Sequence, residues 1–448
     1  MAQKYDKHCL DMLIRLTLKE IKTIILTSIG GTLEFFEFTI YALFSKYIGF
    51  HFFPNKNSAT VLIATFSVYA LGYLARPLGG ILFGHFGDKY GRKNAFSFTV
   101  LLMAISTLLI GCLPSYQTIG ITAPFILVFL RLVQGLSVGG EISGATVFTA
   151  EHLPAKHRGL GIGILFMSIT FGNALGGAVG FVLNYSIGNA AMIAWGWRLP
   201  FLLGFLLGIC SYLIRKNISE TPIFEEMEKN KQLQTKPFIT LFKKFNKELA
   251  AGILLMAISS TMIGFFLYLP TYLSVFLNFQ MQQTFLINVI SFLILSILTG
   301  FFGFLSDYIN RAHLALIGCV VMAIISYIGF NFFLRPETTT IYIFICLMAI
   351  SISIVNGCYA LLIVELFPAC VRYSGMGASY SIGVAIFGGS APLIFSFVIQ
   401  YFHNVKAPYY YLLFCIFLTA IGAVSTRKLI FTHQNKSYEN KALLTHMD

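Results

Sequence analysis

Gly84-His85-Phe86-Gly87-Asp88-Lys89-Tyr90-Gly91-Arg92-Lys93 is a charged, glycine-rich decapeptide set between two long apolar runs. Ions are costly in hydrocarbon, so such a stretch reads as a tight turn at a membrane surface and not as core. A second version stands in the other half of the chain, Gly303-Phe304-Leu305-Ser306-Asp307-Tyr308-Ile309-Asn310-Arg311. Glycine to aspartate and aspartate to arginine are each four residues apart in both copies. The turn is duplicated, which points to duplication of the chain around it.

Outward from the turn, the composition agrees. The chain has 448 residues, 57% hydrophobic and 11% charged, with a formal net charge of +13. Soluble domains carry about 25% charged residues. Runs of about 20 apolar residues recur from end to end, each long enough to cross a bilayer as a helix. The short alternating strands of a membrane β-barrel are absent. The fold class that follows is an all-α polytopic membrane protein. Hydropathy places twelve spans near residues 24–50, 58–84, 95–113, 122–149, 159–186, 197–215, 249–276, 284–306, 312–333, 340–366, 372–401 and 408–430. One long polar segment, 216–248, reads as a solvated linker between two six-helix bundles, 24–215 and 249–430, with polar ends at 1–23 and 431–448.

Charge sets the orientation. With the N-terminus inside, 24 of the 31 Lys and Arg residues fall in the tails and inner loops, and only Lys46, Lys56, Arg335 and Lys406 fall in outer loops. The positive-inside rule then puts both termini and the linker in the cytoplasm. The same asymmetry accounts for the basic net charge without nucleic acid as a partner. The eight cysteines are scattered through apolar runs with no CxxC or zinc-type spacing, so they read as packing residues and no metal is expected. No small-residue cleavage site follows the first apolar run, so no cleaved signal peptide is expected.

A second signature repeats in the same order. Glu151-His152-Leu153-Pro154-Ala155-Lys156-His157-Arg158 follows span four and Glu365-Leu366-Phe367-Pro368-Ala369-Cys370-Val371-Arg372 follows span ten. Glu to Pro is three and Glu to Arg is seven residues in both, and Gly161 and Gly163 match Gly375 and Gly377. Two ordered duplications argue for related halves about an axis along the membrane normal.

Ionisable residues inside spans are expensive and mark function by default. Span one places Glu34, Glu37 and Tyr41 on one face, at helical spacings of three and four. A buried carboxylate there suits a proton or the cationic end of a solute; a fixed hydrogen-bonded pair is the plainer reading. Span two places Tyr69, Tyr73 and Arg76 together, with Pro77 suggesting a kink; Arg76 serves either a solute carboxylate or an interface. Span four carries a polar stripe, Arg131, Gln134, Val138 and Glu141, that should face the bundle interior or a water-filled cavity. A static ion-pair network is the competing reading. Asn173 in span five can reach the same cavity, and Gly172 and Gly176 form a small-xxx-small pair for close helix packing. The interiors of spans seven to twelve carry no charge, so that half should contribute aromatic and hydrogen-bonding groups, from Tyr268, Tyr272, Asn356, Tyr359 and Tyr380 among others.

The first turn resembles the G-x-x-x-D-x-x-G-R-K signature of the major facilitator superfamily, and Arg131-Leu132-Val133-Gln134-Gly135 resembles its R-x-x-Q-G signature. Within it the chain is similar to the metabolite:H⁺ symporters, the bacterial proline/betaine, α-ketoglutarate and citrate carriers. The marks are Leu33 to Phe38 (LEFFEF), Ala75 to Gly80 (ARPLGG), Gln134 to Glu141 (QGLSVGGE), Trp195 to Phe201 (WGWRLPF) and Glu220-Thr221-Pro222. The match is dense before residue 250 and thinner after it. Where such carriers often read Trp-Phe-Asp, this chain has Phe35-Phe36-Glu37, and its tail at 431–448 is too short for their long C-terminal coiled coil.

The resemblance implies a major facilitator fold in the bacterial inner (plasma) membrane. It also implies that Asp88, Arg92, Glu151 and Arg158, with Asp307, Arg311, Glu365 and Arg372, lock the cytoplasmic side when the carrier faces outward. The function expected is a secondary active transporter. It takes up a small polar metabolite with H⁺ as coupling ion, by alternating access, and works as a monomer with no other cofactor. Arg76 and Arg131 suit a carboxylate and Glu34, Glu37 and the tyrosines a cationic end, which favours a zwitterion of the proline/betaine type. A di- or tricarboxylate symporter is the alternative, and a channel or sensor the reading from another class. An enzyme or ATP-driven pump is disfavoured, since no H-E-x-x-H and no Walker-type phosphate loop is present.

Overall fold

A computed structural model describes residues 17–54, 58–216, 220–230, 237–273, 281–332 and 338–445, together with Leu277 and Phe279. Among the described residues the chain is helical, with no strand. The first half runs α1 (Leu18–Leu43), α2 (Ser45–Phe52), α3 (Ser58–Tyr90), α4 (Arg92–Cys112), α5 (Thr122–His152), α6 (Arg158–Ala194) and α7 (Leu199–Lys216). Between the halves lie α8 (Pro222–Lys229) and α9 (Pro237–Lys244). The second half runs α10 (Asn246–Thr271), α11 (Met281–Leu305), α12 (Arg311–Phe332), α13 (Thr338–Asn356), α14 (Tyr359–Leu366), α15 (Arg372–Gly383), α16 (Ala391–Phe402) and α17 (Pro408–Thr445). Among the described residues ten helical stretches are long and apolar enough to cross a membrane, and α1 and α3 complete the twelve passes expected from hydropathy.

The duplicated turns close one end of the molecule, here called the charged face. In the first turn Gly91 breaks the helix at φ 108°, a left-handed conformation open to glycine at little cost, and α4 starts at Arg92. The second signature has the same backbone twice. Leu153 and Phe367 are extended ahead of Pro154 and Pro368, a three-residue 3-10 turn follows, and the next helix starts at Arg158 or Arg372. Proline forces the residue before it out of the helical region, so the spacing of the signature dictates where each helix ends.

Several spans depart from the simple hydropathy reading. Span one is divided, α1 giving way to α2 at Phe44. Span ten is divided after Asn356, whose side-chain oxygen accepts a hydrogen bond from Ser259 at 2.6 Å. In span eleven a π-helical turn at Val384–Gly389 separates α15 from α16. Pro392 follows it, and a proline there has no N–H to bond the carbonyl of Gly388. Pro77, by contrast, sits inside an unbroken α3.

The segment 216–248 is not a plain solvated linker. Thr221 caps α8 by accepting the Phe224 amide at 3.2 Å, with Pro222 in the first turn. Phe224 and Met227, one turn apart, are buried, as is Leu241 of α9. Short amphipathic helices with one apolar stripe must bury it, and these two pack beneath the charged face, against α3, α5, α15 and the turn Ala369–Val371. The polar end past residue 430 likewise continues α17 as helix to Thr445.

Across the halves, α3 packs on α15 and α6 on α11. Both contacts centre on glycine pairs. A Cβ on Gly80 would fall 2.5 Å from the Gly377 carbonyl oxygen, and one on Gly163 would fall 2.7 Å from Gly303 Cα. The halves therefore touch backbone to backbone at two related points. Gly377→Leu should hold α3 and α15 apart. Ser374→Cys, in an otherwise cysteine-free protein, reports on the gap, since Ser374 is buried. Its labelling by a polar maleimide should rise about tenfold with Gly377→Leu, the scale expected when overpacking costs about 1–3 kcal/mol. An unchanged rate would show that the contact is dispensable for closure.

Candidate functional site

Among the described residues the buried charged groups gather in two assemblies, one at the seam on the charged face and one in the middle of the molecule. At the seam, each half satisfies a helix start in the other. The Asp88 carboxylate accepts the Tyr373 and Ser374 amides at 3.3 and 2.8 Å, the second and third residues of α15. The Asp307 carboxylate accepts the Gly159 and Leu160 amides at 2.7 and 2.8 Å, the second and third residues of α6. The first amides of a helix have no partner within it and carry its positive dipole end, so a carboxylate there is favourable twice over. Burial pushes the Asp307 carboxyl above the ordinary aspartate range, and the Leu160 and Gly159 amides and Arg311 pull it back.

The other residues expected to form a lock fall into two unequal clusters. Glu151 pairs with Arg92 of its own half and with Arg372 of the other half, the latter at 2.8 Å. Arg92 also donates to the Ala369 carbonyl across the seam at 2.7 Å and lies 3.7 Å from Asp88. Side chains of Arg92, Asp88 and Glu151 are at most 1% exposed. In the related cluster Glu365 pairs with Arg311 of its own half at 2.7 Å, and these side chains are 26% and 20% exposed. Arg158 instead donates to the Leu153 carbonyl at 3.3 Å, as Arg372 does to Phe367.

The second assembly begins between the halves. A small cavity of about 10 Å³, room for about one water, is lined by Phe35, Tyr73 and Arg76 from the first half and by Ser260, Tyr380 and Gly388 among others from the second. Arg76 is 1% exposed, so it does not snorkel to a surface. Its guanidinium lies 4.2 Å from the Tyr73 ring centre and 4.3 Å from that of Phe38. Its Nε and Nη2 make no hydrogen bond within the protein, nor does Ser260 Oγ.

Behind the cavity, inside the first half, a hydrogen-bonded chain joins a carboxylate to a guanidinium. Arg131 donates to Gln134 Oε1 at 2.8 Å, Gln134 donates to Thr107 Oγ1 at 2.8 Å, and Thr107 donates to Glu37. Arg131 stacks over the Tyr41 ring at 4.0 Å and shares the Phe38 ring with Arg76. Glu37 is boxed by α1, α4 and α5 and by Gly204 and Gly208 of α7. Glu141, also buried, contributes to the field at Glu37.

The structure therefore keeps the groups that helical spacing made and divides them between two places. Tyr73 and Arg76 reach the cavity, whereas Glu37, Tyr41, Arg131 and Gln134 form the network behind it. Asn173 accepts from Thr39 at 2.5 Å, between α6 and α1, and is absent from the described cavity lining. The side chain of Glu34 lies outside the described residues. Thr107, Phe35, Phe38 and Ser260 were not singled out by sequence; each is neutral, and only a hydroxyl inside an apolar span marks Thr107 and Ser260. Gly135-Leu136-Ser137-Val138-Gly139 spells a G-x-S-x-G string, but it lies within α5 with Ser137 buried. A nucleophile elbow requires a strand-to-helix turn, so the string carries no hydrolase chemistry.

The family model for the Major Facilitator Superfamily matches residues 27–392. The chain is 33% identical, over 404 residues, to the glycine betaine/proline/ectoine/pipecolic acid transporter OusA of Dickeya dadantii, covering 88% of this chain and 80% of that one. It is 32% identical, over 418 residues, to a proline/betaine transporter of Escherichia coli, covering 91% and 83%. The structure of the proton:xylose symporter XylE bound to 6-bromo-6-deoxy-D-glucose superposes with a TM-score of 0.76 at 17% identity, covering 92% and 96%.

The unequal burial of the two clusters has a measurable consequence. Removing one partner of a buried ion pair costs about 3–5 kcal/mol, against about 0–1 kcal/mol for a partly exposed pair. Glu151→Gln should thus open the seam on the order of 100-fold, and Glu365→Gln no more than about fivefold. Maleimide labelling at Ser374→Cys reads both, and equal effects would contradict the asymmetry.

Proposed function

The chain belongs to the major facilitator superfamily, and on that footing we propose that it takes up a small zwitterion of the proline/betaine type together with H⁺, by alternating access. It is a membrane-embedded secondary transporter of a small molecule and not an enzyme. The finer reading places it in the bacterial inner membrane as a monomer, with both termini and the charged face in the cytoplasm.

The observation that carries proton coupling is the chain from Glu37 to Arg131. A carboxylate sealed among four helices, reached from a guanidinium through two neutral hydrogen-bonding side chains, can gain and lose a proton without breaking an ion pair. Protonation at Glu37 removes one negative charge from a region that also holds Arg76, Arg131 and Glu141. The region then attracts the carboxylate of an entering solute. Loss of the proton on the other side reverses that balance and releases the solute. Alternating access is supported by the seam. Its contacts tie two rigid halves by surfaces that can be made in one state and exchanged for water in another. The substrate class rests on what the relatives are named for and on a cavity pairing an arginine with aromatic walls.

In proteoliposomes an inward proton gradient should drive accumulation of proline or glycine betaine, and collapsing the gradient should abolish it. Accumulation unaffected by collapse would refute symport. Glu37→Gln should abolish accumulation yet retain exchange of labelled for unlabelled solute. A variant that still accumulates solute would remove Glu37 from the coupling path.

A further inference from the structure

Arg76 presents a problem that the protein does not solve by itself. A guanidinium is always charged, and this one is 1% exposed in the middle of the molecule. The Phe38 and Tyr73 ring centres that face it are only 4.8 Å from one another. Both rings therefore lie on one flank of the guanidinium. Two of its nitrogens, Nε and Nη2, are fully buried without a hydrogen bond. These are the pair whose N–H bonds run parallel along one side of the group, the side that accepts both oxygens of a carboxylate at once. The cavity that Arg76 lines is bounded, among the described residues, by no aspartate, no glutamate and no second arginine or lysine. Its far wall, from the other half, is neutral and includes Ser260 Oγ, which also makes no hydrogen bond within the protein.

We propose that the Nε–Nη2 edge of Arg76 is the carboxylate receptor of the transported solute, and that this site, which must widen beyond its present one-water cavity to admit the solute, accepts solutes bearing one carboxylate only. The inference rests on the transporter reading above and narrows it. One carboxylate completes the Arg76 edge as a bidentate pair. A second carboxylate on the same solute would be buried against Ser260, Tyr380 and Gly388 with no cation to meet it, and a buried unpaired charge is strongly disfavoured. The solute's other end meets aromatic faces and a hydroxyl, which suits a cationic nitrogen. A solute so held touches both halves at once, through Arg76 on one side and Ser260 on the other. Arg131 leaves the same two nitrogens without a hydrogen bond, but it donates through Nη1 to Gln134, lies over Tyr41 and stands outside the cavity lining, so it is the position in the cavity wall that gives Arg76 the different task.

The test is competition against labelled proline uptake in proteoliposomes, with glycine betaine, choline, α-ketoglutarate and citrate as unlabelled competitors. For the wild-type protein, glycine betaine should compete at least about 30-fold better than choline, which keeps the ammonium and lacks the carboxylate, a ratio in the range of a charge-assisted hydrogen-bonded pair. The di- and tricarboxylate should not compete. In Arg76→Lys the betaine-to-choline ratio should fall about tenfold through KM, with proton-driven uptake persisting at high solute. In Arg131→Lys the ratio should be retained. If Arg76→Lys does not fold, the wild-type panel alone decides the one-carboxylate claim. Proline uptake with an unchanged ratio in Arg76→Lys, or with loss of the ratio in Arg131→Lys, overturns the assignment of Arg76 and leaves the transporter reading standing. Competition by α-ketoglutarate or citrate overturns the one-carboxylate claim. Uptake of α-ketoglutarate or citrate in place of any zwitterion overturns that claim and the proposed substrate class together.

Discussion

The closed charged face depends on carboxylates that cap helices belonging to the opposite half. A buried helix start must find partners for its first amides. Within α6 and α15 no side chain of the local turn supplies one. The partner arrives from across the seam, as Asp307 for α6 and Asp88 for α15. Satisfying the helix ends and closing the face are thereby one event. The spacing of the turn motif has a direct physical meaning in this light. Glycine and aspartate four residues apart share a helix face. The glycine lets the backbone approach, Gly84 against Ser374 and Gly303 against Gly163, and one turn later the aspartate reaches the amides.

The two copies have diverged in how they are finished. In the second copy Asn310 caps the following helix with its own side chain, accepting the Ala312 amide at 3.1 Å. In the first copy the equivalent position is Gly91, which has no side chain. The cap comes from Glu220, whose carboxylate accepts the Lys93 amide at 3.0 Å. This explains the Glu220-Thr221-Pro222 stretch: Glu220 caps the start of α4 and Thr221 the start of α8. It also explains why the first cluster is the buried one. The segment that supplies the missing cap lies beneath it, so Arg92 and Glu151 lose the water that Arg311 and Glu365 keep.

Much of this was legible in the sequence for an identifiable reason. Long apolar runs, duplicated spacings and the lopsided distribution of lysine and arginine are one-dimensional signals of a membrane bundle built twice. The seam was legible because its residues recur in order. The middle of the molecule was less so. Helical spacing grouped Glu37 with Tyr41 and Arg76 with Tyr73, and each pair shares a neighbourhood. Spacing along one helix cannot say which neighbouring helix it faces. Glu37 turns to Thr107 of α4, and Arg76 turns to the other half. The segment 216–248 was read as solvated because its charges are many, while its buried stripe is only a few residues such as Phe224 and Met227.

That division of the polar groups bears on how a rocking transporter can keep its chemistry intact. The described charged groups of the central region, Arg76, Arg131, Glu37 and Glu141, all belong to the first half, and the second half faces them with neutral side chains. A chain of hydrogen bonds confined to one rigid body keeps its distances when the bodies move. The contacts that must change are those between halves, and toward the centre these are van der Waals and cavity contacts, with Gly389 against Tyr73 as one example, and neutral hydroxyl-to-carbonyl hydrogen bonds, from Ser296 to Met167 at 2.7 Å and from Ser381 to Gly139 at 3.4 Å. The inter-half contacts that involve charged groups are gathered instead at the charged face. Placing them there puts the switching free energy at an end of the molecule where released charges find water. Ionic cross-links in the centre would have to break in a dry interior, where an unpaired charge costs several kcal/mol. In a proton-coupled cycle of the kind proposed, the assembly of Glu37 and Arg131 thus travels as a unit. The motion changes which side reaches it, and a solute on Arg76 is the one charged bridge across the middle.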